Sequence, residues 1–332
     1  YVQGDLYALR SGSGGSSAVE VSYEANLLVE GDAYFSSDSH PSTHVFRNYG
    51  TSSFKKNLTL EMLRTAPNTS LPTIALRNRG FLEVDDTLTV SVQEGIGIAQ
   101  ILPEIRGGPP NEIRAKRLII NTTRNDNGSL DRSAVAAGDA YHISDGKGSF
   151  GKTEINAVGD GVVFNGNTGV LNFGMGEQVQ IPGVGTDASL AIGSEASIRS
   201  EMTAIVFDGP ANSYTLIADG AQVSGQEGLY KGTGGNSTLE LAQNAHVTGS
   251  ISMGEGSDSL LLHKNVDLSR VTVIDGGDVL SGADGFVDTI TFKDFSSTIS
   301  SDKLLNWEKV VIDGGSLAFS NNSLITGAEV GS

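Results

Sequence analysis

NLLVEGDAYFS, from Asn26 to Ser36, aligns without a gap with six further eleven-residue stretches: TSSFKKNLTLE from Thr51, FLEVDDTLTVS from Phe81, SLAIGSEASIR from Ser189, YTLIADGAQVS from Tyr214, TLELAQNAHVT from Thr238 and SLLLHKNVDLS from Ser259. The fourth column holds Val29, Phe54, Val84, Ile192, Ile217, Leu241 and Leu262. The eighth holds Ala33, Leu58, Leu88, Ala196, Ala221, Ala245 and Val266, and the tenth Phe35, Leu60, Val90, Ile198, Val223, Val247 and Leu268. All 21 positions are apolar in a chain that is 38% hydrophobic, so chance does not explain the register. Within each stretch the apolar side chains recur every second residue, the strand period, on either side of a polar turn.

Within two runs, the starts at 26, 51 and 81 and those at 189, 214, 238 and 259, the stretches lie 25, 30, 25, 24 and 21 residues apart, a loose period whose variation loops can absorb. A third short strand precedes many of them and ends in an aromatic residue or Leu before a turn, as in Val45-Phe46-Arg47-Asn48, Ala75-Leu76-Arg77-Asn78 and Val206-Phe207-Asp208-Gly209. Three short strands per repeat predict an all-β protein, a right-handed parallel β-helix over residues 1–332 whose stacked coils bury the apolar columns. About a dozen coils at ~4.8 Å each would make a rod roughly 60 Å long. A leucine-rich repeat would need a Leu-x-x-Leu-x-Leu-x-x-Asn framework that is absent, and propeller blades need roughly 40 or more residues.

Composition agrees. The chain has 43 Gly among 332 residues, no Cys, 6% aromatic and 18% charged residues, and a formal charge of -17. Low aromatic and charged content argues against an ordinary enzyme core, and the hydrophobic share is too high for disorder. Without Cys, disulfide scaffolds and Cys-based zinc sites are excluded. No apolar run approaches a membrane span and no signal-peptide pattern is present. The chain starts Tyr-Val-Gln, which reads as a mature piece. Two regions break the repeat. Residues 91–116, with Pro103, Pro109 and Pro110, read as a bulged loop around a coil ending in Leu118 and Ile120. Residues 124–151 are polar and turn-rich and read as an extended loop leaving the spine, either functional or a tolerated insertion.

Near the C-terminus stand Asp288-Thr289-Ile290-Thr291-Phe292, then Asn306-Trp307-Glu308, then Val310-Val311-Ile312-Asp313-Gly314-Gly315, and Trp307 is the only Trp. The stretch from Gly285 to Ser320 resembles the passenger domains of Gram-negative autotransporter adhesins of the AIDA type. The resemblance implies a secreted β-helix carried to the cell surface by a C-terminal outer-membrane barrel, of which this chain would be a truncated passenger. It also implies a virulence-associated adhesin that binds host matrix protein or glycans, or self-associates between cells, without choosing among them.

Charge is unevenly placed. Residues 47–124 hold eleven Lys/Arg against seven acids, whereas residues 133–332 hold nine against 24. Arg47, Arg77 and Arg106 follow the third strand of three consecutive coils and would form an outward ladder, with Lys55, Lys56, Lys116 and Arg117 nearby. Such a ladder suits a sulfated or carboxylated, glycosaminoglycan-type polysaccharide, because guanidinium groups grip oxyanions bidentately. The bland reading is a solubilising face paired with Glu83, Asp85 and Asp86. In the acidic half, Asp208, Asp219, Asp258 and Asp288 sit at turns and would contact a partner protein or another passenger, or else serve turn chemistry. Nucleic acid is disfavoured by a pI near 4.6 and by the lack of basic-aromatic alternation.

Other motifs are weaker. Gly254-Glu255-Gly256-Ser257-Asp258-Ser259-Leu260 matches one calcium-binding nonapeptide but has no neighbouring copy. His40 and His44 flank Pro41 without an evident third ligand, and His142, His246 and His263 form no catalytic pattern, so neither metal nor cofactor is expected. The leading reading is therefore a non-enzymatic adhesin. The alternative is a polysaccharide lyase or hydrolase, for which Asp85 and Asp86 beside Arg77 are the only compact candidates in the basic section.

Overall fold

The computed structural model describes residues 1–11, 17–38, 44–63, 73–101, 110–124, 138–166, 168–175, 188–209, 212–232, 234–277 and 285–321. The chain is a right-handed parallel β-helix, nearly all-β, in which every ladder is parallel and joins one coil to the next. Each full coil contributes a strand to each of three faces. In the second coil these are Asn26–Val29, Ala33–Ser37 and His44–Asn48, and in the third Thr51–Phe54, Leu58–Met62 and Ile74–Asn78.

The column arithmetic describes the interior. On the first face Val29, Phe54, Val84, Ala115, Phe150, Phe173, Ile192, Ile217, Leu241, Leu262 and Phe292 stand in one ladder, residue over residue. On the second face Phe35, Leu60, Val90, Ile120, Ile155, Ile198, Val223 and Val247 do the same. These side chains belong to one hydrophobic cluster that runs from Val21 to Trp307. Stacking adds edge-to-face packing, as between Phe35 and Phe46 at 5.5 Å, and face-to-face packing of Phe164 on Phe207 at 4.4 Å.

The corner between the first and second faces explains several turn residues. Gly220, Asn244, Asn265, Asp294 and Gly314 have φ of +74°, +56°, +62°, +50° and +81° there. The left-handed region that turns this corner admits Gly, Asn and Asp at least cost. Farther toward the N-terminus the chain bulges instead of turning. Phe81–Gln93, Glu112–Thr123 and Lys147–Ala157 are continuous strands across both faces. The register slips between Ala115 and Arg117, so Lys116 alone opposes Asp85-Asp86.

Two sequence expectations change. The segment 124–151 is not one loop: Tyr141–Ile143 is a third-face strand and Lys147–Ala157 supplies the first and second faces, while residues 125–137 lie outside the described residues. The apolar signal there is short, with Tyr141, Ile143 and Phe150 buried among Gly, Ser and Lys. Within 91–116, Ile96–Gln100 is likewise a regular third-face strand, paired with Ile74–Asn78.

One irregularity shapes the rod. Gly169–Phe173 lies on the first face between Lys147–Phe150 and Ala188–Ile192. On the second face, by contrast, Thr153–Ala157 pairs directly with Ala196–Ser200, and on the third Val162–Phe164 pairs directly with Ile205–Phe207. The first face thus holds one extra strand, a wedge of ~4.8 Å.

Candidate binding surfaces

The basic section divides between two edges of the rod. Arg47 and Arg77 are register neighbours on the third face, as expected for a ladder. The next position is Ala99, followed by His142, so Arg106 is not the third rung. The strand Ile96–Gln100 ends before Arg106, which itself lies outside the described residues. Arg47 is also engaged: its guanidinium pairs with Glu20 at 3.0 Å and donates to the Tyr49 hydroxyl at 2.9 Å, with the ring 5.1 Å away. Arg79, only 8% exposed, sits 5.7 Å from the same ring.

Lys55, Lys56 and Lys116 are exposed at or beside the first-to-second corner, with Arg117 half-buried one residue further on. Lys55 pairs with Asp85 of the next coil at 3.2 Å, and Asp85-Asp86 stands in register between the Lys55-Lys56 corner and Lys116. Charge therefore alternates from coil to coil along this corner. The same geometry parts the alternative catalytic group: Asp85 and Asp86 lie on this corner, whereas Arg77 lies on the third face.

The four acidic candidates separate in the same way. Asp208 is exposed, and Asp219 is a corner residue whose carboxylate accepts from Gln243 and Asn244 of the next coil at 3.1 Å each. Those bonds hold its carboxyl below the usual carboxylate range. Asp258 and Asp288 are 2% and 1% exposed and present no contact surface. They form a chain of caps: Asp258 Oδ1 accepts from the Ser237 amide at 2.6 Å, and Asp288 Oδ1 from the Asp258 amide at 2.8 Å. Glu308 Oε2 continues it by accepting from the Asp288 amide at 2.8 Å.

The Asn-Trp-Glu motif is likewise structural here. Asn306 adopts φ +57° and donates to Asp275 Oδ1 at 2.8 Å, while buried Trp307 donates through Nε1 to the Ile274 carbonyl at 3.0 Å. A further polar ladder runs inside the rod: Asn48 donates to Asn78 Oδ1 at 2.8 Å, and Asn78 to Asn111 Oδ1 at 3.0 Å. The repeated Arg-Asn at strand ends, 30 residues apart, was its only sequence signal.

A titratable cluster lies where the second face meets the third. His142 Nε2 meets Asp139 Oδ2 at 2.8 Å, and its Nδ1 receives the Asn165 amide at 3.4 Å. With both ring nitrogens occupied and the side chain 8% exposed, His142 is no free general base. Asp139 Oδ1 accepts the Asp160 amide at 2.7 Å, and Asp160 Oδ1 accepts the Thr203 amide at 2.9 Å. Burial, and then the neighbouring Asp139 carboxylate, push the Asp160 carboxyl up to about 6 from an ordinary 3.8. The folded chain therefore holds this proton more tightly than the unfolded one. The contribution to stability is full below pH 4 and is lost as pH rises toward 6. Asp160→Asn keeps the oxygen that accepts from Thr203 and is expected to raise stability at pH 7.5. After discounting for the solvent that reaches the group, the gain is on the order of 1–2 kcal/mol. Thermal melts across pH check this, since the gain should vanish below pH 4.

Among the described residues no three His, Asp or Glu side chains are grouped to hold a metal ion, and no helix is long and apolar enough to cross a membrane. In the nonapeptide-like stretch the Asp258 carboxylate already serves the Ser237 amide.

A concave feature lies on the second face. Three contiguous hollows of about 500, 540 and 520 Å³ all include Arg199. They follow the step between Thr153–Ala157 and Ala196–Ser200, strands adjacent in space at the level of the first-face wedge. Outward residues stand in register along the trough, Asn121, Asn156, Arg199, Ser224 and Thr248 in one column and Glu154, Ser197, Gln222, His246 and Asp267 in the next. Fold and surface together define the class, a β-solenoid with a polar trough and a structural C-terminal motif. Compared with family models, curated proteins and solved structures, the chain finds no match.

Proposed function

We propose that this chain is the shaft of a cell-surface adhesin. It is a non-enzymatic solenoid that presents polar faces to extracellular-matrix components, among them acidic glycans. The observation that carries the reading is the ladder architecture itself, in which an unbroken hydrophobic interior holds outward polar side chains at the fixed spacing of the coils. A periodic surface of this kind suits a periodic polymer. The resemblance around Asn306-Trp307-Glu308 supports secretion to a Gram-negative cell surface through an outer-membrane barrel. Self-association between passengers is the second reading, favoured by the net charge of the acidic half being unequal to that of the basic section.

The test is a screen against arrayed sulfated and carboxylated glycans and matrix proteins at low and high salt, with the glycans recovered and sized afterwards. Salt-sensitive retention of intact glycan is the expected result. Shortened chains or new unsaturated ends would establish a hydrolase or lyase instead. Retention of nothing, with dimers that grow with concentration, would move the function to self-association. In the same screen the Arg47→Ala/Arg77→Ala double variant is expected to lose less than threefold in binding, because Arg47 is engaged by Glu20 and Tyr49.

A further inference from the structure

The trough on the second face differs from the basic section in one respect: three of its acids are engaged, and among the described residues the guanidinium groups of its central arginines make no hydrogen bond or ion pair. Glu201 is paired with Arg124. Glu154 Oε1 accepts from Asn156 at 3.2 Å, and Asp267 Oδ1 accepts the Ser269 amide at 2.9 Å. Arg199 and Arg270 are exposed and line the hollows, and among the described residues neither guanidinium makes a hydrogen bond or ion pair. After the Ser269 hydrogen bonds, the nearby Arg270 charge helps hold the Asp267 carboxyl below the usual range. At the corner end Lys152 and Glu195 supply one charge of each sign.

We propose that this trough is a binding site for a linear carboxylated oligosaccharide, with Arg199 taking a carboxylate. This deepens the adhesin reading and rests on it. Three properties select the ligand. The floor is hydroxyl and amide: Ser197, Gln222, Ser224 and Thr248 can exchange hydrogen bonds with sugar hydroxyls while Arg199 supplies a planar, two-pronged donor for a carboxylate. The trough runs across coils, and Arg270 lies three coil steps beyond Arg199, roughly 14 Å at ~4.8 Å per coil, far enough for a chain rather than a single sugar. No Phe, Tyr or Trp lines it, so binding depends mainly on charge and hydrogen bonds.

The site follows from the wedge. Because Gly169–Phe173 inserts on the first face alone, residues 43 apart in sequence, Asn156 and Arg199, become register neighbours. No local pattern in the sequence announces that pairing.

The test is a calorimetric titration of the whole chain with size-defined oligogalacturonate, and with its fully methyl-esterified form as a neutral probe of the same shape. The expected result is salt-sensitive binding of the acidic form, weakened at least tenfold in Arg199→Ala, partly restored in Arg199→Lys, and blocked in Ser224→Trp, which fills the trough. Far-ultraviolet circular dichroism verifies that each variant keeps its strands. Equal binding of the esterified form, or unchanged affinity in Arg199→Ala and Ser224→Trp, overturns the site. If those variants still retain glycans or matrix proteins in the array screen, the adhesin reading stands and only the trough falls. If the unaltered chain binds neither probe nor array, both fall.

Discussion

Asn78→Ala is expected to loosen the third and fourth coils by about 3 kcal/mol, a large effect for one amide in a protein of this size. Asn78 is fully buried and serves both neighbours: Oδ1 accepts from Asn48, while Nδ2 donates to the Gly80 carbonyl at 2.7 Å and to Asn111 Oδ1 at 3.0 Å. Truncation removes three hydrogen bonds and leaves the Gly80 carbonyl with the Glu112 amide, at 3.1 Å, as its remaining partner. Each buried polar group left unsatisfied costs about 1–3 kcal/mol, and here neighbouring bonds, such as Asn48 Nδ2 to the Phe81 carbonyl at 3.0 Å, soften the loss. A solenoid transmits such damage mainly to adjacent coils, so the measurement is amide exchange coil by coil. Faster exchange confined to strands near Ile74–Asn78 and Phe81–Gln93 is the expected pattern. Exchange unchanged there would show that the ladder merely fills space.

Trp307→Ala is expected to cost about 3–5 kcal/mol locally, because it deletes a large buried ring and its hydrogen bond to the Ile274 carbonyl. Trp307→Phe keeps most of the packing and should cost about 1–2 kcal/mol through the lost hydrogen bond and the smaller ring. The only Trp also reports on its own coil. In the unaltered chain its fluorescence should be blue-shifted, and its unfolding in urea should precede the loss of strand signal if the C-terminal coils form a separate cooperative unit. One coincident transition would show instead that the whole rod unfolds together.

His44 adds an acid-side prediction on the third face. Burial, and then the charges of Arg77, Arg47 and Arg79, push its imidazole down to about 3 from 6.5. The unfolded chain therefore takes up this proton first, and stability falls as pH drops from 6.5 toward 3. His44→Gln should flatten that part of the stability profile, measured by thermal melts at pH 7 and pH 4.5. An unchanged slope would assign the acid sensitivity to other groups.

Much of the architecture was legible because its cause is periodic. Apolar residues two apart, in columns such as Val29-Phe54-Val84, have no place to go but the interior of a stacked coil. The middle of the chain was harder. Ala115, Phe150 and Phe173 complete the same column, but a bulge at Lys116, glycines around Phe150 and an extra strand at Gly169–Phe173 each disturb the spacing that alignment relies on. The Asp-Thr and Asn-Trp-Glu residues stood out in the sequence, and their cap chemistry became plain only when Asp258, Asp288 and Glu308 were seen bonded in series.

Surface sites were the least legible. Spacing suggested Arg47, Arg77 and Arg106 as one ladder, yet the third rung is Ala99, because the strand Ile96–Gln100 stacks on Ile74–Asn78 and ends before Arg106 is reached. Asp258 and Asp288 resembled exposed turn residues but lie inside, where backbone amides of the preceding coil need acceptors. Sequence by itself determined the coil, since hydrophobic burial answers to a two-residue period that any reader can count. Only the tertiary structure decided which polar residues meet, as at Asn156 and Arg199, because neighbours on a solenoid's surface are set by loop lengths and inserted strands rather than by local pattern.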